Sequence, residues 1–214
     1  MAQLAERIWR TTITSEEELR ALVGEPSERA VKKQMDRLDD HCRAIIGRAP
    51  FMLLGTSDAA GRCDVSPKGD LPGFVQVLDD RTLLIPDRPG NRRVDSLRNI
   101  LENPHVGLLF VVPGKEETLR VNGRATIVRD EELLARLAVD GKPPKLAIGV
   151  EVEEAYAHCA KAFRRSGLWE KERWPESADL ATMPKLMFDQ ARTGQSLEEL
   201  ECQIDEALKP ENLY

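Results

Sequence analysis

Long apolar runs and an excess of positive charge are both missing from this sequence of 214 residues. The longest apolar runs, such as residues 106–112, are far shorter than the ~20 residues of a membrane-spanning helix. The formal net charge is −6, whereas binding to nucleic acid depends on a broad basic surface. We therefore predict that the protein contacts neither a membrane nor nucleic acid. The first residues also lack a basic-then-apolar signal segment, which predicts a cytoplasmic location.

Cysteine is scarce, and its four positions are scattered along the chain. Cys42, Cys63, Cys159 and Cys202 form no CxxC pair and no Cys/His spacing typical of a zinc site, so we predict reduced thiols and no metal site. The sequence also lacks a Ser/His/Asp arrangement, a carboxylate pair and a cysteine-nucleophile motif. No side chain is therefore predicted to be catalytic by itself.

The spacing of apolar residues divides the chain into three parts. Residues 1–48 and 171–214 show helical spacing, whereas residues 49–170 contain five or six strand-like segments separated by short turns. Two helices interrupt these strands, which is typical of a small β-barrel with added helices. We predict one structural domain, in which the N-terminal helices pack on the barrel and a helical segment follows it.

Local signals set the expected boundaries of several elements. Ser15 and Gly24 begin and end a first helix, and Pro26 opens a second helix that carries Met35 and Leu38 on one face. Strands are expected at residues 51–57, 63–66, 74–78, 82–86, 106–112, 119–127 and 146–152. A helix from residue 130 is expected to end at residue 141, and residues 156–169 are expected to form a turn and a short helix.

Residues 87–104 are the stretch in which local signals point most directly to a ligand. A Pro-Gly pair precedes apolar residues at helical spacing, and a proline at residue 104 ends that spacing. We predict a helix whose first turn is residues 91–93, where N–H groups without helical partners and the helix dipole favour an anion. Because Arg92 and Arg93 add two guanidinium groups there, the pattern predicts a phosphate site. We interpret Arg88 and Arg98 as surface or ion-pair residues.

Five blocks of sequence, taken in order, resemble the pyridoxamine 5′-phosphate oxidase-related proteins, and in particular a bacterial branch of FMN-dependent enzymes. The blocks are FMLLGT at residues 51–56, SPKGD at 66–70, LIPDRPGNR at 84–92, NPHVGLLF at 103–110 and LRVNGRA at 119–125. The likeness extends from about residue 49 to residue 169. It implies a mainly β fold, a six-stranded antiparallel FMN-binding split barrel. It also implies a homodimer in which both subunits form each flavin cleft.

The same resemblance implies roles for individual residues. It places Ser66, Pro67, Lys68 and Gly69 at the edge of the flavin ring, and Ile85, Pro86 and Asp87 near the ring and the ribityl chain. It places Asn91, Arg92 and Arg93 at the flavin phosphate. Arg120 and Asn122 border the cleft, from the partner subunit in one interpretation, and Lys161, Arg164, Ser166 and Trp169 close over the flavin or the substrate. Without the resemblance, residues 66–69 are simply a turn, and Arg120 and Asn122 lie on a solvated strand face.

The function implied by the resemblance is that of an FMN-dependent oxidoreductase. It would act on an unidentified small organic substrate together with an electron donor or acceptor. The acidic segment at residues 198–214 departs from the basic segment with which pyridoxamine 5′-phosphate oxidases hold their substrate, so that substrate is not implied. Two other classes stay open. One is a non-catalytic flavin- or haem-binding or redox-sensing module, and the other is an F420-dependent reductase.

Overall fold

The computed structural model describes residues 8–214. The prediction about a signal segment concerns the first seven residues and lies outside this described part. The chain divides into two compact units, a first that ends at Gln34 and a second that comprises Met35–Tyr214. Domain boundaries at residues 48 and 170, with the N-terminal helices packed on the barrel, stay a prediction. Within the described residues, no helix is long and apolar enough to cross a membrane.

Between residues 9 and 34, the first unit contains two helices, α1 (Glu16–Val23) and α2 (Glu28–Lys32). Ser15 is the N-cap of α1, and its side chain accepts a hydrogen bond from the N–H of Glu18. Gly24 ends the helix with φ 74°, a conformation that glycine adopts without steric cost. The predicted start and end of this helix are therefore confirmed.

The second unit is built on a seven-stranded sheet in which every pairing is antiparallel. Its strands are β1 (Phe51–Ser57), β2 (Cys63–Gly69), β3 (Gln76–Val77), β4 (Thr82–Pro86), β5 (His105–Val111), β6 (Thr118–Val128) and β7 (Ala147–His158). Their order across the sheet is β2-β1-β5-β6-β7-β4-β3. The predicted mainly β, antiparallel architecture is confirmed, whereas the six strands that the resemblance implies are one too few.

Six helices accompany the sheet in the described part of the second unit. They are α3 (Asp40–Ile46), α4 (Asp95–Glu102), α5 (Glu131–Ala135), α6 (Lys161–Ser166), α7 (Met183–Ala191) and α8 (Leu197–Ala207). Two short 3₁₀ helices lie at Lys171–Arg173 and Pro210–Asn212. The segment between β4 and β5 carries α4, which packs against β1, β2 and β6.

Several predicted boundaries were wrong, and contacts between distant segments decide two of the three described next. The second helix ends at Lys32, and Met35 is extended because its backbone pairs with that of Ala155. The helix after residue 130 ends at Ala135, six residues before the predicted end at residue 141. Strand β7 continues to His158, through the predicted turn, because its last residues pair with β6.

One face of the sheet forms the hydrophobic core. Alternate residues are buried, such as Met52 and Leu54 in β1 and Leu108 and Phe110 in β5, because successive side chains of a strand point to opposite faces. Ile46 of α3 belongs to the same core. Burying one side chain of this kind contributes about 1.5–3 kcal/mol. A register slip would move all of them to solvent, so this core fixes the strands that carry the candidate site.

The other face of β2, β1 and β5 carries apolar side chains that remain accessible. Val65 is 67% exposed and Phe51 is 39% exposed. We call this surface the outer sheet face; alternation and strand register assign to it Phe51, Leu53, Gly55, Val65, Pro67, Gly107 and Leu109. The sheet therefore presents one buried face and one accessible apolar face.

Candidate functional site

A cavity of about 720 Å³ lies at the start of α4, and its volume is within the range of small-molecule sites. Four separate parts of the chain form its wall. They are one face of β2, the segment from the end of β4 into α4, the loop before β7, and the C-terminal segment. The lining residues are Ser66, Lys68, residues 87–97, residues 142–146 and Tyr214.

The helix at this cavity begins later than the sequence predicts. Its first residue is Asp95, so the predicted first turn at residues 91–93 was wrong by four residues. The reason is a backbone in the left-handed region, with φ 59° at Arg92 and φ 55° at Val94. Non-glycine residues held there cost of order 1–3 kcal/mol each and concentrate at ligand sites. Val94 provides no side-chain cap, so the first N–H groups of α4 remain available at the cavity wall.

Polar side chains fix α4 to the β1–β2 hairpin. The hydroxyl groups of Ser96 and Ser66 form a hydrogen bond of 3.0 Å. Asn99 donates to the hydroxyl of Thr56 at 3.0 Å and to the carboxylate of Asp64 at 2.8 Å. Ser66 of β2 lines the cavity. The same contacts therefore fix the position of the start of α4 relative to the wall that β2 forms.

Two basic residues of the cavity are neutralised by neighbours. Lys68 donates to the carboxylate of Asp87 at 3.1 Å. Arg93 donates to the carboxylate of Asp95 at 2.7 Å, and this hydrogen bond raises the pKa of the Arg93 guanidinium above its ordinary value. Each of these side chains must share its charge between a carboxylate and any ligand.

Three other basic residues of the cavity wall lack an acidic partner. Arg92, Lys142 and Lys145 form no ion pair within residues 8–214. Together with the start of α4 they give this part of the cavity a local positive charge, in a protein whose net charge is negative. The arrangement is suited to an anionic group such as a phosphate. Within the same described range, no group of three or more His, Cys, Asp or Glu side chains is arranged to hold a metal ion.

Arg88 also lines the cavity and belongs to a third network, which is built on the buried carboxylate of Asp70. Its Nε donates to Oδ2 of Asp70 at 2.6 Å, and the hydroxyl of Tyr214 donates to Oδ1 of the same carboxylate at 2.6 Å. Burial raises the pKa of Asp70, but the hydrogen bonds from Tyr214, Leu71 N–H and Arg88 outweigh burial and hold the pKa below its ordinary value. The bond to Asp70, together with burial, raises the pKa of Tyr214. The ion-pair interpretation of Arg88 is therefore confirmed.

The structure brings six of the predicted flavin-binding residues together at this cavity and leaves the others outside its wall. The six are Ser66, Lys68, Asp87, Asn91, Arg92 and Arg93. Ile85 and Pro86 are buried within β4, and Pro67 and Gly69 alternate with the cavity-facing residues of β2. The flavin roles assigned to all of them stay predictions.

Arg120 and Asn122 lie on the side of β6 that continues the outer sheet face, because they pair with Leu109 and Gly107. Both side chains donate to Oε1 of Glu154, at 2.8 and 2.9 Å. In this single chain they are thus on the opposite face of the sheet from the cavity. A role in the flavin cleft would require that face to meet a second chain.

The segment that was predicted to close over the flavin or the substrate, residues 161–169, lies apart from the cavity wall. It is hydrogen-bonded to the loop between β5 and β6. Arg164 donates to the carboxylate of Glu116 at 2.7 Å. The indole N–H of Trp169 donates to the carbonyl of Lys115 at 3.0 Å. The other two predicted residues of this segment are Lys161, the first residue of α6, and Ser166, its last. Their role over a flavin or substrate stays a prediction.

Sequence reasoning missed the part of the wall that residues 142–146, with Lys142 and Lys145, and Tyr214 form. The two lysines reach the cavity because β4 pairs with β7, and the N–H of Asp87 bonds to the carbonyl of Leu146 at 3.0 Å. The two lysines could have been identified from the sequence if the pairing of β4 with β7 had been known. No local signal marks Tyr214, because its hydrogen bond to Asp70 spans 144 positions.

Comparison with known proteins gives one family and several solved structures of similar fold. The family model described as pyridoxamine 5′-phosphate oxidase matches residues 38–159. No curated protein matches the chain. HupZ of Group A Streptococcus is 22% identical over 55% of this chain and 91% of that chain, with a TM-score of 0.44. General Stress Protein 26 of Bacillus anthracis is 17% identical over 54% and 88%, with a TM-score of 0.42.

HutZ of Vibrio cholerae, described as a heme storage protein, is 15% identical over 57% of this chain and 94% of that chain, with a TM-score of 0.40. At such low values, these likenesses say nothing about the ligand of this chain. The family match is a different matter, since it covers more than half of the 214 residues and includes β1 to β7 together with α4.

Proposed function

The chain belongs to the pyridoxamine 5′-phosphate oxidase family, and from that premise we propose that it is a cytoplasmic FMN-dependent oxidoreductase that acts as a homodimer on a small organic substrate. One observation supports FMN as the cofactor. Arg92, Lys142 and Lys145, which form no ion pair within residues 8–214, lie in the wall of one cavity together with the start of α4. A phosphorylated ligand is the chemistry that this combination recognises best.

The phosphate end of FMN fits the basic part of the cavity. Arg92 offers a planar guanidinium group for two parallel hydrogen bonds, and Lys142 and Lys145 add point charges. The N–H groups of the first turn of α4 supply further donors. Asn91 is held by the chain itself, because its side chain accepts the N–H of Arg93 at 3.0 Å. These residues would hold the phosphate and orient the ligand.

The ring end of FMN fits the wall made by β2. Ser66 and Lys68 alternate toward the cavity on this strand, and Asp87 fixes the ammonium group of Lys68. When bound, FMN supplies two-electron transfer. Lys68 would place a positive charge beside it, and charge near the ring is how proteins tune this cofactor.

The outer sheet face supports the homodimer. Contiguous apolar surface of this kind is typical of protein interaction sites. A second copy packed there would cover Val65 and Phe51, which are accessible in one chain. It would also bring Arg120 and Asn122, on the continuation of this face, to a cleft between two chains. This arrangement agrees with the interpretation in which these two residues act across the subunit boundary.

The absorption spectrum of the purified protein, before and after incubation with FMN, tests the cofactor. We expect the two visible bands of an oxidised flavin and one flavin per chain. A Soret band would instead support the haem-binding alternative, and a single deazaflavin band would support the F420-dependent reductase. A colourless protein that does not bind added FMN would overturn the proposal.

Turnover of the flavin-loaded protein distinguishes an enzyme from a non-catalytic binding module. We expect NADH or NADPH to bleach the flavin bands, and a small organic acceptor to restore them over many cycles at a fixed amount of protein. A flavin that binds stoichiometrically but supports no repeated cycle with any donor and acceptor pair would favour the non-catalytic module. A matched control is free FMN at the same concentration, which corrects for uncatalysed exchange of electrons.

A further inference from the structure

Tyr214 lines the cavity although the rest of the wall comes from residues 66–146. The C-terminal segment brings it there through α8 and the 3₁₀ helix Pro210–Asn212. Leu200 of α8 is buried, and α8 packs against α7. Its phenol ring thus contributes a part of the wall that no strand or loop of the sheet supplies.

The carboxylate of Asp70 joins this phenol to the sheet. Its side chain is only 1% exposed. It accepts three hydrogen bonds, from the hydroxyl of Tyr214 at 2.6 Å, from Nε of Arg88 at 2.6 Å and from the N–H of Leu71 at 2.7 Å. A buried carboxylate that loses a donor is costly, because its charge is no longer compensated by solvent. Tyr214 and Arg88 are therefore coupled through one carboxylate.

Arg88 is held from two sides. Its Nε is directed to Asp70, and its guanidinium carbon lies 5.3 Å from the centroid of the Tyr214 ring, a distance typical of a cation–π contact. Within the described residues, its two Nη groups make no hydrogen bond, and Arg88 lines the cavity. These groups are free to bind an anionic ligand.

We propose that Tyr214 is a positioning residue of the cavity: through Asp70 it fixes the guanidinium of Arg88, so that binding of a phosphorylated ligand depends on the docked C-terminal segment. The identity of the ligand in this proposal rests on the proposed flavin site. The positioning of Arg88 rests only on the contacts among Tyr214, Asp70 and Arg88. Removing the hydroxyl leaves the carboxylate with one donor fewer and loosens the guanidinium that it holds.

Titration with FMN, followed by quenching of its fluorescence, measures this dependence. Tyr214→Phe keeps the ring and removes only the donor, and we expect the dissociation constant to rise about three- to tenfold, a fraction of what a hydrogen bond to a charged group is worth. The matched control is Leu213→Ala, a change at the neighbouring half-exposed residue, which should leave the constant unchanged. Equal affinities of Tyr214→Phe and the wild type would contradict the proposal.

A double-mutant cycle separates positioning from general packing of the tail. If Tyr214 acts through Asp70, the variant Asp70→Asn and the double variant with Tyr214→Phe should bind FMN with the same affinity, because the first change already removes the coupling. Effects that simply add would mean that the phenol acts on its own and would overturn the inference. The thermal midpoint of Tyr214→Phe, measured in parallel, should lie below that of Leu213→Ala because the buried carboxylate loses a donor, so affinities are compared at a temperature at which both variants are fully folded.

Amide hydrogen exchange decides the inference even if the protein binds no FMN. In the ligand-free protein we expect several-fold faster exchange in peptides covering residues 86–92 and 208–214 of Tyr214→Phe than of the wild type. A wild type that binds no FMN would overturn the proposed cofactor, and the exchange rates would still test the network. Unchanged exchange in both peptides would reject the positioning role.

Discussion

Arg92 and Arg93 are consecutive residues of the cavity wall, yet their surroundings differ. Arg93 donates to Asp95 at 2.7 Å, so binding a phosphate would mean sharing or breaking an existing ion pair. Arg92 has no acidic partner among residues 8–214, and its left-handed backbone is held at φ 59°. A preorganised cation without a competing carboxylate gains the full interaction with an anion. The structure thus ranks two residues that the sequence treats as equal.

Arg92→Ala should therefore weaken FMN binding more than Arg93→Ala. We expect the dissociation constant to rise about ten- to hundredfold for Arg92→Ala, since a hydrogen bond to a charged group contributes roughly 1.5–3 kcal/mol. Fluorescence titration measures both variants, with Arg98→Ala on the exposed side of α4 as the control. If Arg93→Ala costs as much as Arg92→Ala, the ion pair with Asp95 does not decide the ranking.

Lys68 provides a prediction about reduction potential rather than affinity. Lys68→Met removes a positive charge from the wall beside the proposed ring site, so the flavin should become harder to reduce. The potential should fall by some tens of millivolts, since about 30 mV corresponds to 1.4 kcal/mol for a two-electron couple. Asp87 moderates the effect because it already balances part of the charge. A spectroelectrochemical titration gives the value, and Lys115→Met, outside the cavity, serves as the control.

Local sequence was sufficient for some residues of the site and insufficient for others. Arg92 could be predicted because the Pro-Gly pair and the helical spacing that identify it lie within one short stretch. Lys142 and Lys145 could not, because they reach the cavity only through the pairing of β4 with β7. Tyr214 could not either, since its docking depends on a buried carboxylate far away in sequence.

At the scale of elements, α4 is attached to the β1–β2 hairpin along its whole length. Besides the contacts of Ser96 and Asn99, Asn103 donates to the hydroxyl of Ser57 at 2.8 Å. The carboxylate of Glu102 accepts the N–H of Ala59 at 3.3 Å. The helix is short, and isolated helices of this length are unstable in water. These side-chain bonds therefore position the helix start that the proposed phosphate site uses.

Asn99→Leu tests this attachment. Asn99 is 7% exposed and bonds to Thr56 and Asp64, so the change leaves buried polar groups without their donor. We expect a loss of about 1–3 kcal/mol in the free energy of unfolding, measured by urea denaturation. Leu101→Ala is the control on the same helix, because that residue is 77% exposed and should change stability by less than about 0.5 kcal/mol. Equal effects of the two changes would contradict the anchoring role.

Element boundaries were predictable where the signal is local. Strands β1 and β4 have the predicted limits, and Ser15 and Gly24 bound α1 as expected. The late start of α4 could not be foreseen, because no sequence signal marks a valine or arginine that adopts the left-handed conformation. The last residues of β7 alternate small and polar types, and only their pairing with β6 makes them a strand.

On the scale of the whole molecule, the sheet has two faces of different character. One face packs on the core, and alternation along the strands predicted that burial. The strand order could not be derived from the sequence, because it pairs β1 with β5 and β4 with β7 across long separations. The second face, the outer sheet face, is accessible and apolar. Its exposure in one chain is explained if two chains meet there.

Val65→Glu tests that explanation. A second copy packed on the outer sheet face would bury the new carboxylate, and burying a charge without a partner costs several kcal/mol. Size-exclusion chromatography with light scattering should give twice the mass of one chain for the wild type and the mass of one chain for the variant. Leu101→Glu is the control, because that residue is even more exposed but lies on α4, away from this face.

The same variant links assembly to the site. If Arg120 and Asn122 complete the cleft of the partner, the monomeric Val65→Glu protein should also bind FMN more weakly, although Val65 does not line the cavity. Dilution of the wild type through its dimer dissociation should weaken FMN binding in the same way, because ligand binding and assembly are then thermodynamically coupled. A monomeric variant that binds FMN with wild-type affinity would show that one chain forms the whole flavin site. A Val65→Glu protein that remains dimeric would place the subunit contact on another face.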